Sequence, residues 1–115
     1  MVGVKLLLQS NIGGSITLRC FLFFNDKLYR VIVAYEYDSV IFEGIVNKLV
    51  TDYGLAQSKS AKDSDDIWLK WHISSTTNIL LEALDNAIKV DYINPYIYDE
   101  VNDLMKKKKQ ESIKF

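Results

Sequence analysis

Val2, Val4, Leu6 and Leu8 alternate with Gly3, Lys5, Leu7 and Gln9, the period-two pattern of a strand with one well buried face. Two ten-residue runs rich in β-branched and aromatic residues follow, SITLRCFLFF and LYRVIVAYEY, joined by Asn25, Asp26 and Lys27. They predict a hairpin over residues 15 to 37. Apolar side chains fall on both faces of each run, so the hairpin is expected to be covered on both sides, by helices, a second sheet or another copy of the chain. Asn11, Gly13 and Gly14 supply a turn before it, and the first three strands are expected to form an antiparallel meander.

Beyond the hairpin the period changes. Phe42, Ile45, Val46, Leu49, Val50 and Tyr53 recur at helical spacing after a possible cap at Asp38 or Ser39, and Gly54 stands where such a helix would stop. Residues 57 to 66, QSKSAKDSDD, carry no large apolar side chain and predict an exposed loop. In residues 67 to 73, Ile67, Leu69, Trp71 and Ile73 alternate with Trp68, Lys70 and His72, a fourth strand with its two tryptophans on opposite faces. Strand, helix and strand in succession suggest a right-handed crossover to a parallel neighbour. Leu80, Ala83, Leu84, Ala87 and Ile88, after the caps Ser74 to Thr77, predict a second helix. Asn94 followed by Pro95 starts a third, with Ile97, Val101, Leu104 and Met105 inward, Asp99 and Glu100 in its first turn, and Lys106 to Lys109 in its last. The expected fold is α+β, one domain over residues 1–115, in the order β-β-β-α-β-α-α.

Composition narrows the function classes. At 115 residues and 49% hydrophobic, the chain can bury roughly two thirds of its unfolded surface in one core. A net charge of -1 gives no global attraction to nucleic acid or anionic membrane. Cys20 is the single cysteine and sits in an apolar strand, where a small buried side chain is expected. The apolar run near the start is too short for a signal segment or a membrane span, so a cytoplasmic protein without membrane association is expected.

No motif assigns an activity. A metal-dependent tyrosine nuclease needs two histidines one residue apart on a strand, and His72 is the only histidine, although Tyr92, Tyr96 and Tyr98 are available as nucleophiles. One cysteine and one histidine do not make a structural zinc site, and His72 is the only imidazole that could activate a serine or Cys20. The phosphate-cradling glycine patterns are absent. Neither metal nor cofactor is expected.

The order strand-strand-strand-helix-strand-helix over roughly residues 2 to 90 resembles the first part of a ribonuclease H-like domain. The resemblance implies carboxylates for two metal ions at the ends of the first and fourth strands and in the first helix. Those places hold Gln9 or Ser10, Ser74 or Ser75, and Glu43. One carboxylate cannot hold two ions, so the resemblance implies at most a degenerate nuclease.

Binding features are stronger than catalytic ones. Lys106, Lys107, Lys108 and Lys109, with Lys114 beyond, could meet phosphates or an acidic protein, and Tyr96 and Tyr98 could stack on bases or pack the last helix. Phe21, Phe23, Tyr29, Val31, Val33 and Tyr35 exceed what three helices can cover and mark a dimer face. The expected function is a non-catalytic binding or adaptor protein, a homodimer acting on a protein or nucleic-acid partner. The alternative is a degenerate ribonuclease H-like or other metal-dependent phosphodiester-cleaving nuclease.

Overall fold

A three-stranded meander followed by a helix occurs twice along the chain. The computed structural model describes residues 2–10, 16–61 and 65–113. The first unit comprises β1 (Val2–Ser10), β2 (Ile16–Phe24), β3 (Lys27–Glu36) and α1 (Ser39–Tyr53). After a two-residue strand, β4 (Ser58–Lys59), the second comprises β5 (Ile67–Ser74), β6 (Thr77–Ala83), β7 (Ala87–Ile93) and α2 (Pro95–Glu111). The meanders join through β3 and β7 into one sheet of order β1-β2-β3-β7-β6-β5-β4, every pairing antiparallel.

The α+β class, the β2–β3 hairpin, α1 and the Asn94–Pro95 start of α2 agree with the sequence pattern. Asn25 and Asp26 both take positive φ, 49° and 64°, so the hairpin closes on a two-residue turn with Lys27 already in β3. Asp38 caps α1, its carboxylate accepting from the amides of Val40 and Ile41. Gly54, at φ 83°, ends the helix in a conformation that a residue with a Cβ rarely adopts. The turn assigned to Asn11, Gly13 and Gly14 lies outside the described residues.

Three expectations fail. The helix predicted from Leu80 to Ile88 is the β6–β7 hairpin, closed where the Leu84 amide donates to the Ala87 carbonyl. Its apolar residues satisfy both periods. Tertiary pairing selects the strand reading, because Ile79, Leu81, Ile88 and Val90 on alternate positions then build the core. With β7 inserted beside β3, β5 lies two strands further out and is antiparallel to its neighbours, so neither the parallel crossover nor the ribonuclease H-like order is formed. Finally, the loop over residues 57 to 66 contains β4, paired with Lys70 and Leu69 of β5; its residues 62 to 64 lie outside the described residues.

The two helices cover different parts of opposite faces. On the first face, α1 lays Ile41, Phe42, Ile45, Val46, Leu49 and Val50 over Trp71, Ile79, Leu81, Ile88 and Val90, thus over β5, β6, β7 and the neighbouring part of β3. Trp71 is fully buried there, Trp68 on the opposite face half-buried, and Trp71 Nε1 donates to the Gly54 carbonyl at 2.9 Å, tying the end of α1 to β5. On the second face, α2 sets Ile97, Tyr98 and Val101 against Leu22, Phe24 and Tyr29. Beyond Val101, all described residues of α2 are exposed, Leu104 and Met105 included, so the expected inner stripe stops halfway along the helix. Asp99 and Glu100 fall past the first turn, which carries no acid; the basic last turn is Lys108 and Lys109.

Candidate functional site

The dimer face expected from the hairpin divides in the folded chain, and the cause is a register shift. Leu22 pairs with Arg30 and Phe23 with Leu28, leaving Tyr29 as the extra residue of a bulge. A bulge turns two successive side chains toward one side, so Tyr29 joins Arg30 on the α2 face, 5% exposed against Phe24 and Val101. This corrects its placement with Val31, Val33 and Tyr35. Val33 and Tyr35 pack beneath α1. Phe21, Phe23 and Val31 pack against neither core cluster and stay half-buried, beside Leu28 at 47% exposed.

The open part of the first face is therefore an aromatic shelf on β2 and β3, bounded by the flank of α1. Where the shelf meets the helix, Tyr35, Tyr53 and Tyr92 line a hollow of about 130 Å³ with Lys48 and Asp52 on its rim. Tyr92 also lines a shallower hollow of about 320 Å³ with Leu28, Val31, Thr76 and Thr77. Burial pushes the Tyr92 phenol above its ordinary range, with Tyr53, Tyr35 and Asp52 adding to the effect and Arg19 opposing it. Burial likewise raises Tyr29, with Arg30 opposing. Because the folded values exceed the unfolded ones, the stabilisation from both phenols is complete below pH 10 and is lost as pH rises through the folded values. A tyrosinate absorbance titration of the wild type against Tyr29→Phe and Tyr92→Phe should show these two phenols ionising above the ordinary range, their last step coinciding with loss of structure. Ionisation of Tyr29 and Tyr92 within the ordinary phenol range while the fold persists would refute it.

The other face holds a buried charge pair that the sequence reading missed. Asp91 on β7 is 0% exposed and accepts from Arg30 Nη2 at 2.6 Å and Nε at 2.9 Å. Lys89 Nζ, 3.3 Å from Glu82, is 3.9 Å from the same carboxylate. The guanidinium carbon lies 5.3 Å from the centre of the Tyr98 ring, so the pair is clamped beneath α2, and the bond to Asp91 holds the Arg30 pKa above its usual value. The signal was a lone acid within the β-branched run AIKVDYI, which needs a cationic partner when its strand is central.

The remaining predicted residues scatter. Tyr98 is engaged by Arg30, whereas Tyr96 is 67% exposed. Lys106 to Lys109 are exposed on the free half of α2, and Lys114 lies outside the described residues. Cys20 is half-buried rather than buried. His72 is exposed on β5, its Nδ1 3.0 Å from Asn78 Oδ1, and Glu43 is exposed on α1. Among the described residues no three His, Cys, Asp or Glu side chains converge to hold a metal ion, and no helix is long and apolar enough to cross a membrane.

No family model, curated protein or solved structure matches the chain.

Proposed function

We propose that this chain is a cytoplasmic, non-enzymatic binding protein that works as a homodimer, with the open shelf of Phe21, Phe23 and Val31 as the contact between copies. The observation that carries the reading is that Phe21, Phe23 and Val31 join neither core cluster, so α1 and α2 leave these aromatic and β-branched side chains only half-buried. The area supports it. The chain exposes 8379 Å², whereas a compact monomer of 13.2 kDa exposes about 6,400 Å². The excess, about 2,000 Å², is spread over the whole chain, the exposed half of α2 included, and leaves room for an interface of the standard roughly 800 Å² per partner. The radius of gyration, 16.1 Å against about 13 Å for a compact chain of this length, reports the same openness.

Charge favours a second copy over a nucleic acid at this shelf. Its rim carries both signs, Lys48 and Asp52 from α1 with Arg19 from β2. A two-fold axis can set Asp52 of each copy against a cation of the other, whereas a polyanion would meet Asp52. Phenylalanine, tyrosine and arginine are also the residues that interface centres favour.

Sedimentation velocity over a dilution series tests the assignment. Phe21→Asp, which puts a charge at the centre of the shelf, should raise the dissociation constant about thirtyfold or more. Replacing Lys106 to Lys109 with alanine should leave it unchanged. Equal dissociation of both variants and the wild type, or loss of the dimer in the lysine variant alone, would move the interface elsewhere.

A further inference from the structure

On the α2 face, away from the shelf, a cavity of about 350 Å³ lies between the start of α2 and strands β5 to β7. Its lining is unlike that of a packing gap. Leu80, Ile93 and Pro95 make an apolar floor, Tyr98 supplies an aromatic wall, and Lys70 and Asn78 present polar groups from β5 and β6.

Lys70 is half-buried and makes no ion pair among the described residues; Glu82, on the same face of the sheet, is taken by Lys89 at 3.3 Å. A half-buried lysine engaged in no ion pair can gain from an anion that approaches it. Asn78 is oriented by His72, whose Nδ1 lies 3.0 Å from Asn78 Oδ1. With its oxygen accepting there, the Asn78 amide nitrogen has two donors to offer. One cation and one amide donor over an apolar floor match a carboxylate attached to a flat hydrophobic body. Asp99, on the rim, sets the charge limit, because a second negative charge on the ligand would meet its carboxylate.

We propose that this cavity binds a small aromatic monocarboxylate, with Lys70 and Asn78 holding the carboxylate, Leu80, Ile93 and Tyr98 enclosing the ring, and Asp99 selecting against dianions. The site does not draw on the shelf, so it stands whether or not the chain dimerises.

The test is a heteronuclear NMR titration of the full chain with indole-3-acetate, phthalate and inorganic phosphate. Indole-3-acetate should give saturable shifts at the Asn78 side-chain amide and at Ile93 and Tyr98, and phthalate and phosphate should not. Lys70→Met should weaken indole-3-acetate about tenfold or more while leaving the rest of the spectrum in place. Asp99→Asn, at an exposed position, should tighten it about two- to fivefold and admit phthalate. Absence of saturable shifts at millimolar indole-3-acetate, unchanged binding in Lys70→Met, or equal response to phosphate would overturn the proposal.

Discussion

Replacing Asp91 with alanine is expected to destabilise the fold by about 3–5 kcal/mol, because it leaves the Arg30 guanidinium beneath α2 without its carboxylate. The pair is bidentate, at 2.6 and 2.9 Å, and Asp91 has no solvent exposure with which to offset the loss by hydration. A domain of this size is held by about 5–15 kcal/mol in all, so the substitution should bring the chain close to its unfolding threshold. The cost belongs to the unpaired cation rather than to the ion pair as a source of stability. Asp91→Leu combined with Arg30→Met should therefore recover most of the loss, since two apolar side chains of similar volume need no partners. Urea unfolding followed by tryptophan fluorescence measures both. A single variant within about 1 kcal/mol of wild type would mean that Arg30 reaches water without rearrangement. The pair also sets the register of α2, because Arg30 lies over Tyr98 and the Asn94 amide that opens the helix donates to the Tyr29 carbonyl at 2.8 Å.

Trp71→Ala is the second large effect, about 3–5 kcal/mol from the cavity and the lost burial. Trp71 has no exposed surface and sits among Leu49, Ile79 and Leu81, where α1 meets the second meander. Its indole nitrogen also holds the Gly54 carbonyl, so the end of α1 should loosen when the ring is removed. Trp71→Phe keeps most of the volume and isolates that bond, with an expected loss nearer 1 kcal/mol from the bond itself. Calorimetric melting of the two variants separates packing from the bond. If alanine and phenylalanine cost the same, the hydrogen bond rather than the filled volume would be the anchor.

Much of the fold is legible in the sequence because its signals are local. Asn25 and Asp26 can carry positive φ, Asp38 and Asn94 cap the helices, Gly54 ends α1, and IWLKWHI alternates cleanly. The β6–β7 hairpin was not legible, since NILLEALDNAIKV satisfies helical and strand spacing at once. Only the partners Trp71, Leu69 and Val33 across the sheet decide between them. The same error added a helix and hid the true neighbour of β3. Of the candidate interface residues, Phe21, Phe23 and Val31 lie outside both core clusters, whereas Tyr29 lies under α2, because a bulge one residue long exchanges faces without altering composition. Asp91 escaped notice because a buried acid is recognisable only with Arg30, 61 residues away, already in place.

The shelf on β2 and β3 is the proposed place where one copy meets another. Isotope-filtered NOE spectroscopy on a sample mixing labelled and unlabelled chains tests it most directly, since it records contacts only between different molecules. Contacts among Phe21, Phe23, Val31 and the α1 flank near Lys48 and Asp52 are the predicted result. An absence of intermolecular contacts at concentrations where the chain is well above micromolar, or contacts confined to the free half of α2, would contradict it.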